Sequence, residues 1–265
     1  MKNTSNTHDF SEVLTIVRHV RRMLFPSYGN IEGTQKQAGK KFELVTQLDI
    51  DVERFLKREL AKAYPDIAFV GEECGGDRSA KRFWLVDPID GTACFIRGLP
   101  FCTSQLALIE NNEVLFSAIY DFVNDVMYSA VKGRGTFANG KRLRVSNRPL
   151  QGSHFVWETH LDKEANMRWF LRLRKESVLW HFGAAGFDLM LVASGKLEGR
   201  ICIDAHGKDY DFAAGSLLVQ EAGGIVANIG MRSYDYRNLN FIAANPVVFH
   251  ELTDGPDAIF PLQDR

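Results

Sequence analysis

The chain is predicted to fold as a layered α+β sandwich, and three observations lead there. Apolar residues recur at helical spacing at Phe10, Val13, Leu14, Val17, Val20 and Leu24, and again at Val52, Phe55, Leu56, Leu60 and Ala63. Short runs rich in apolar, β-branched and aromatic residues follow, at 67–70, 83–86, 106–109, 114–120 and 126–131. The second half then mixes helical stripes with short strands, and no internal repeat or low-complexity tract interrupts it. Each sheet face and helix stripe must be covered by another element, so elements mixed in this order stack as layers.

Taken in order, the first helix is ended by Pro26 and the second by Pro65. Between them, residues 29–41 are polar and hold three glycines, which reads as a mobile loop. It lies just before Asp49, as a loop covering a site would, and a plain surface loop fits equally well. The strand at 67–70 exits into Gly71-Glu72-Glu73, and the strand at 83–86 into Asp87-Pro88-Ile89-Asp90-Gly91-Thr92. Pro88 fixes one backbone dihedral and Gly91 permits a close approach, so this second exit reads as a stiff turn. A strand meander follows, with turns at Asn111-Asn112 and Asn124-Asp125. Arg148-Pro149 and Gly152 mark a boundary near 147–152, dividing the chain into residues 1–150 and 151–265. Beyond it, helices are expected at 167–175 and 186–194 and a strand at 201–203. The last strong helical stripe is Phe212, Gly215, Val219 and Ala222, closed by Gly223-Gly224.

Length and composition bound the answer. A chain of 265 residues can bury one large core or two tightly joined ones. Its 45% apolar and 25% charged residues place it among ordinary globular proteins. A formal charge of −1 gives no electrostatic reason to expect a nucleic-acid or membrane partner. Arg21-Arg22 and Lys40-Lys41 read as solvated pairs. No long apolar span or signal pattern is present, and the polar start, residues 1–9, is expected to fray. Four cysteines without Cys-x-x-Cys spacing suggest reduced thiols in a cytoplasm.

The chemistry lies in the acids. Two carboxylates on one narrow turn repel by roughly 4 kcal/mol at about 4 Å in an effective dielectric near 20, which a bound cation would offset. Asp49, Glu72 with Glu73, Asp87 with Asp90, and Asp211 stand at four separate element ends, which suggests convergence on one cation. Oxygen ligands favour Mg²⁺, with Mn²⁺ as the alternative, over zinc, and no His or Cys set competes. Each acid also has a plainer reading. Asp49 could cap a helix starting at Ile50, and Asp211 its own helix. Thr92 could cap the segment 93–96. Glu73 is the weakest candidate, and His181 and His206 read as structural or surface residues.

The blocks at 44–49, Gly71-Glu72-Glu73, Asp87-Pro88-Ile89-Asp90-Gly91-Thr92, Asp211-Phe212-Ala213-Ala214-Gly215 and Glu221-Ala222-Gly223-Gly224 resemble the inositol monophosphatase family in residues, order and spacing. That family lies within the lithium-sensitive, metal-dependent phosphatase superfamily, and the resemblance extends over about residues 10–245. It implies an αβαβα sandwich of the sugar-phosphatase type, built as two tightly packed subdomains and forming a homodimer. Residues 1–150 would carry most metal ligands, and residues 151–265 the substrate pocket and Asp211.

By the same resemblance, Glu72, Asp87 and the carbonyl of Ile89 hold a first Mg²⁺, and Asp87, Asp90 and Asp211 a second. Glu72 also helps place a third, weaker ion or its water. Asp49 and Thr92 orient and deprotonate the attacking water. Gly91 and Thr92 amides suit a phosphate oxygen, so Glu72, Ile89, Asp90, Gly91, Thr92 and Asp211 also line the substrate site. Gly183, Ala184, Ala185 and Asp204 complete it on the polyol side. Lys36 and Lys40 are further candidates for reaching a phosphate from their loop.

The chain departs from the family pattern at several places. Asp204 stands where inositol-preferring members commonly carry glutamate, Trp180 where arginine is frequent, and Tyr210 where tryptophan is common. Ala93-Cys94 follows Thr92 where bulkier or amide-bearing residues are frequent. None of these touches the implied metal ligands. The expected activity is therefore hydrolysis of a small phosphorylated metabolite, with myo-inositol monophosphate leading. Fructose 1,6-bisphosphate, histidinol phosphate and 3′-phosphoadenosine nucleotides are the alternatives, and the Phe182-Gly183-Ala184-Ala185-Gly186 stretch is similar to the dual inositol-phosphate and fructose-bisphosphate members. A transcription- or RNA-associated binding role is the reading from another class; the near-neutral charge argues against tight RNA binding.

Overall fold

The computed structural model describes residues 9–35 and 44–263. Part of the loop expected at 29–41 lies outside the described residues, and Lys36 and Lys40 with it. In chain order the elements are α1 (Ser11–Leu24), β1 (Thr34–Gln35), β2 (Leu44–Val45), α2 (Gln47–Ala63), β3 (Ala68–Gly71), β4 (Gly75–Gly76), β5 (Arg82–Asp90) and α3 (Thr92–Arg97). The meander β6 (Thr103–Glu110), β7 (Glu113–Asp121), β8 (Val126–Val131), β9 (Gly135–Ala138) and β10 (Lys141–Arg142) follows. The second half holds β11 (Ser153–Thr159), α4 (Glu164–Leu173), β12 (Ser177–Trp180), α5 (Ala185–Ala193), β13 (Gly199–Ile203), α6 (Asp209–Glu221), β14 (Ile225–Asn228), β15 (Phe241–Ala244) and α7 (Pro246–Thr253).

Alternation along the strands sorts side chains between faces and builds the layers. The larger sheet runs β10-β9-β8-β7-β6-β5-β3-β4, antiparallel except where β3 and β5 pair in parallel. One of its faces offers Trp84, Val86, Leu106 and Leu108 to Val13, Val17, Leu56 and Leu60 of α1 and α2. Its other face offers Phe83, Leu85, Ala107 and Ile109 to α5 and α6. The smaller sheet, β12-β11-β13-β15-β14, presents Val156, Cys202 and Ala243 to the same two helices. Its outer face packs Phe155, Trp157 and Ile201 against Leu173 of α4 and Val248 and Leu252 of α7. The result is five layers, αβαβα. Every residue of α6 from Phe212 to Val219 is buried. The amphipathic helix expected there is apolar all round, because it has a sheet on both sides.

Three local expectations are corrected. The second helix starts at Gln47, not Ile50, and Thr46 is its N-cap. The helix expected at 167–175 runs Glu164–Leu173. The turn expected at 87–90 is instead the end of strand β5, which continues through Pro88 because the pairing with β6 slips there. The short strands β11, β12, β14 and β15 and helix α7 were not legible, since runs of four to seven residues carry little periodic signal.

Candidate active site

The slip in β5 brings the acids together. Asp87 pairs with Gln105 and Asp90 with Thr103, so three steps along β5 match two along β6. In regular pleating Asp87 and Asp90 would point to opposite faces. The extra residue turns both carboxylates to the face covered by α5 and α6, as a β-bulge does. Opposite them, Gln105 Nε2 donates to Asp87 Oδ2 at 3.3 Å and Thr103 Oγ1 to Asp90 Oδ2 at 3.2 Å. Gln105 Nε2 also donates to the backbone carbonyl of Asp211 at 3.2 Å, tying β5 to the first turn of α6.

Ligand oxygens of Asp87, Asp90 and Asp211 all lie within 4.8 Å of one another, the metal-compatible cluster found among the described residues. Burial pushes the carboxyls of Asp87 and Asp211 well above the ordinary range, with Glu72 the next cause for both. Asp90 is pushed up to about 6, again by burial, against the pull of the Ala185 and Gly186 amides. Asp87 Oδ1 is buried and has no hydrogen-bond partner. A concentration of buried negative charge with an unmatched oxygen is what a divalent cation would satisfy, and these hard oxygen donors suit magnesium or manganese. The residues fit the group.

Asp90 also does what was not foreseen for it. Its Oδ1 accepts the amide of Ala185 at 2.9 Å, and its Oδ2 those of Gly186 at 2.8 Å and Phe187 at 3.4 Å. It therefore caps α5, a helix from the far half of the chain. Gly91 (φ +80°) allows this docking, since a Cβ there would lie 2.8 Å from the Ala184 methyl and 2.5 Å from the Phe101 carbonyl oxygen.

Asp49 is not an N-cap but the third residue of α2. Its Oδ2 accepts the Thr46 amide and hydroxyl, both at 2.7 Å, in a capping box. Its Oδ1 accepts the Thr92 hydroxyl at 3.1 Å, so the Asp49–Thr92 pair and the capping role coexist. Burial raises Asp49 to about 6. Thr92 opens α3 after the N-cap Gly91, and its hydroxyl also lies 2.9 Å from the Ile89 carbonyl, the oxygen assigned to a metal. Glu72 is half-buried at the exit of β3 and raises both Asp87 and Asp211 electrostatically, but stands outside the three-acid set.

The substrate-side residues are less concentrated. Gly183 is exposed at φ +79°, while Ala184 and Ala185 are buried where α5 meets Gly91 and Asp90. Asp204 follows β13, and its carboxylate is already held by Lys163 at 2.9 Å and Asn166 at 3.0 Å, apart from the acid cluster. Those two partners hold it below the usual carboxylate range, Asn166 first. His206 and His181 are exposed, as expected for surface residues, although the His206 ring lies tilted against that of His160 with centroids 4.0 Å apart.

Several supports escaped the sequence reading. Thr103, Ser104 and Gln105 are three polar residues at the head of a strand whose next four residues are apolar, which was a readable signal. Glu53 lies among Val52, Leu56 and Leu60 on the buried side of α2 and accepts the amides of Glu73 at 2.8 Å and Cys74 at 2.6 Å. It shapes the turn that carries Glu72. A buried acid inside an apolar stripe was its signal.

The comparisons with known proteins place this fold and site among phosphoric monoester hydrolases. A family model described as the inositol monophosphatase family matches residues 8–254. The chain is 31% identical over 248 residues to the fructose-1,6-bisphosphatase/inositol-1-monophosphatase of Thermotoga maritima, covering 92% of this chain and 93% of that protein. It is 32% identical over 196 residues to the Nus factor SuhB of Xylella fastidiosa, covering 71% and 70%. Among solved structures, a Thermotoga maritima IMPase superposes with a TM-score of 0.82 at 29% identity, covering 90% and 92%. The chain belongs to the inositol monophosphatase family.

Proposed function

We propose that this protein is a Mg²⁺-dependent phosphomonoesterase acting on myo-inositol monophosphate or a similar small polyol or sugar phosphate. The observation that carries the reading is the cluster of Asp87, Asp90 and Asp211 with the unpaired Asp87 Oδ1. These three, with Glu72 and the Ile89 carbonyl, would hold two or three Mg²⁺ ions, Mn²⁺ being an alternative. When bound, such ions supply positive charge to the phosphoryl oxygens and acidify a water. Asp49, raised to about 6, is poised to take a proton near neutral pH, and its hydrogen bond to Thr92 sets the path. The amides of Gly91 and Thr92 are assigned a phosphate oxygen, and Gly183, Ala184, Ala185 and Asp204 the polyol side.

The test is a parallel rate assay on myo-inositol monophosphate, fructose 1,6-bisphosphate, histidinol phosphate and 3′-phosphoadenosine nucleotide. We expect the first to be turned over, and the name of the Thermotoga maritima relative supports fructose 1,6-bisphosphate as the second. No turnover of any of the four would overturn the reading. Asp204→Ala then probes the polyol side. Loss of a charge-assisted bond worth roughly 1.5 to 3 kcal/mol lowers the specificity constant about tenfold to a hundredfold for inositol phosphate. An aryl phosphate should be hydrolysed nearly as before. No loss on either substrate would confine Asp204 to its pairing with Lys163 and Asn166.

The subdomain division at residues 1–150 and 151–265 belongs to the same proposal, as does a cytoplasmic homodimer. No helix among the described residues is long and apolar enough to cross a membrane. Exposed Trp180 ends the ring ladder Phe101–Phe182–Trp180, and exposed Leu99 and Val178 stand two residues from its ends in the chain, a surface suited to a second copy. Molar mass by light scattering checks the dimer. The name of the Xylella fastidiosa relative supports a second, transcription-associated role, tested by pull-down at physiological salt with an inactive variant.

A further inference from the structure

Arg200 donates to Asp188, Glu158 and Cys202 and to none of the candidate ligands, yet its charge is felt at Asp90 and it reaches both arms of the site. It lies on β13, 2% exposed, on the face turned toward α5 and α6. Its guanidinium donates to Asp188 on α5 and to Glu158 on β11, and its Nε to Cys202 Sγ at 3.2 Å. It also lies 5.3 Å from the ring centroid of Phe212, the neighbour of Asp211.

Each carboxylate partner leads to a candidate metal ligand. Asp188 sits in the first turn of α5 together with Ala185 and Gly186, whose amides hold Asp90. Glu158 Oε1 accepts the amides of His206 at 2.9 Å and Gly207 at 3.2 Å, in the loop that feeds α6. That loop lies close to the ligand itself: the Lys208 amide donates to Asp211 Oδ2, and a Cβ at Gly207 would stand 3.0 Å from that oxygen and 2.7 Å from the Phe212 ring. One cation thus braces the start of α5 against the start of α6.

Stability alone does not account for this arrangement. Two buried acids share one base, and Asp188 Oδ1 is left without a partner. A well-packed apolar trio often serves the fold as well as a buried ion pair. We infer that Arg200 is a positioning residue that sets the spacing between Asp90 and Asp211, and thereby the affinity of the acid cluster for divalent cations. The inference rests on the reading of that cluster as the Mg²⁺ site.

Calorimetric titration of Mn²⁺ and of Mg²⁺ into the chelator-stripped full chain tests it, well below the melting temperature of each variant. Arg200→Met should weaken metal binding about tenfold to a hundredfold, the usual effect of losing a partner behind a ligand. Arg200→Lys should restore only part of this, since an ammonium cannot face both carboxylates in the forked geometry of a guanidinium. Glu158→Gln, which keeps the shape of its side chain, should weaken binding in the same direction. Turnover at saturating metal should change far less than the metal concentration needed to reach it. Wild-type metal affinity in Arg200→Met would overturn the inference, whatever its melting temperature. Should that variant not fold, undiminished affinity in both Arg200→Lys and Glu158→Gln would do the same. Asp90→Asn separates the two levels of the argument. If it loses metal while the Arg200 variants do not, the cluster stands and Arg200 is structural. If the wild-type protein takes up no metal, the reading of the cluster falls, and this inference with it.

Discussion

Asp90→Asn is expected to lower turnover by several orders of magnitude and also to loosen the fold. The substitution keeps the size of the side chain but removes the charge that a divalent cation requires. Because Asp90 also caps α5 through three amides, the variant loses about 1 to 2 kcal/mol of stability as well. An asparagine offers one oxygen where two now accept, and it turns an amide group toward the remaining donors. Steady-state kinetics beside a melting curve reads both effects. An active but destabilised variant would reduce Asp90 to its capping role.

Chelation is expected to abolish turnover altogether, and full activity in excess EDTA would refute the metal site. Family membership further leads us to expect inhibition by lithium. The metal-free protein should respond to pH in a particular direction. Asp49 and Asp90 are held at about 6 against an ordinary value of 3.8. Between those values the folded protein binds more protons than the unfolded chain, so stability falls as pH rises through that window. Acidifying the stripped protein from about pH 7 toward pH 5 should therefore stabilise it. Each group contributes at most about 3 kcal/mol, from a shift of roughly two pKa units. Saturating Mg²⁺ should reverse the trend, because protons then compete with the ion. Melting temperatures across pH, with and without Mg²⁺, decide it, and a stripped protein that is most stable near pH 8 would contradict the raised carboxyls.

The sequence carried much of this site. Asp49, Asp87, Asp90, Thr92 and Asp211 could be picked out because their blocks stand at separate element ends in the order and spacing of a known family, and the structure brings Asp87, Asp90 and Asp211 within 4.8 Å of one another and Thr92 against Asp49. It could not say how Asp87 and Asp90 come to face the same way. That depends on a register slip between β5 and β6, which is a property of a strand pair and not of either strand. Nor could it reveal that Asp90 caps a helix some 95 residues away, or that Arg200 joins acids from two other elements. Long-range pairings leave no periodic trace. The stripes of α1 and α2 were legible because each has one wet side. Of the smaller sheet only β13 was, at 201–203; its other strands are short and covered on both faces.

The middle layer of helices has a consequence for cooperativity. Since α5 and α6 supply core to both sheets, neither sheet keeps a complete apolar interior without them. The chain should then melt as one unit, even though its two large sheets are separated in sequence near residue 150. A fragment ending at that point would expose the face of the larger sheet that carries Phe83, Leu85 and Ile109, and would lose Asp211 besides. Loss of the helices and loss of either half are on this view the same event seen from different sides, and partly folded forms with an intact acid cluster should not accumulate.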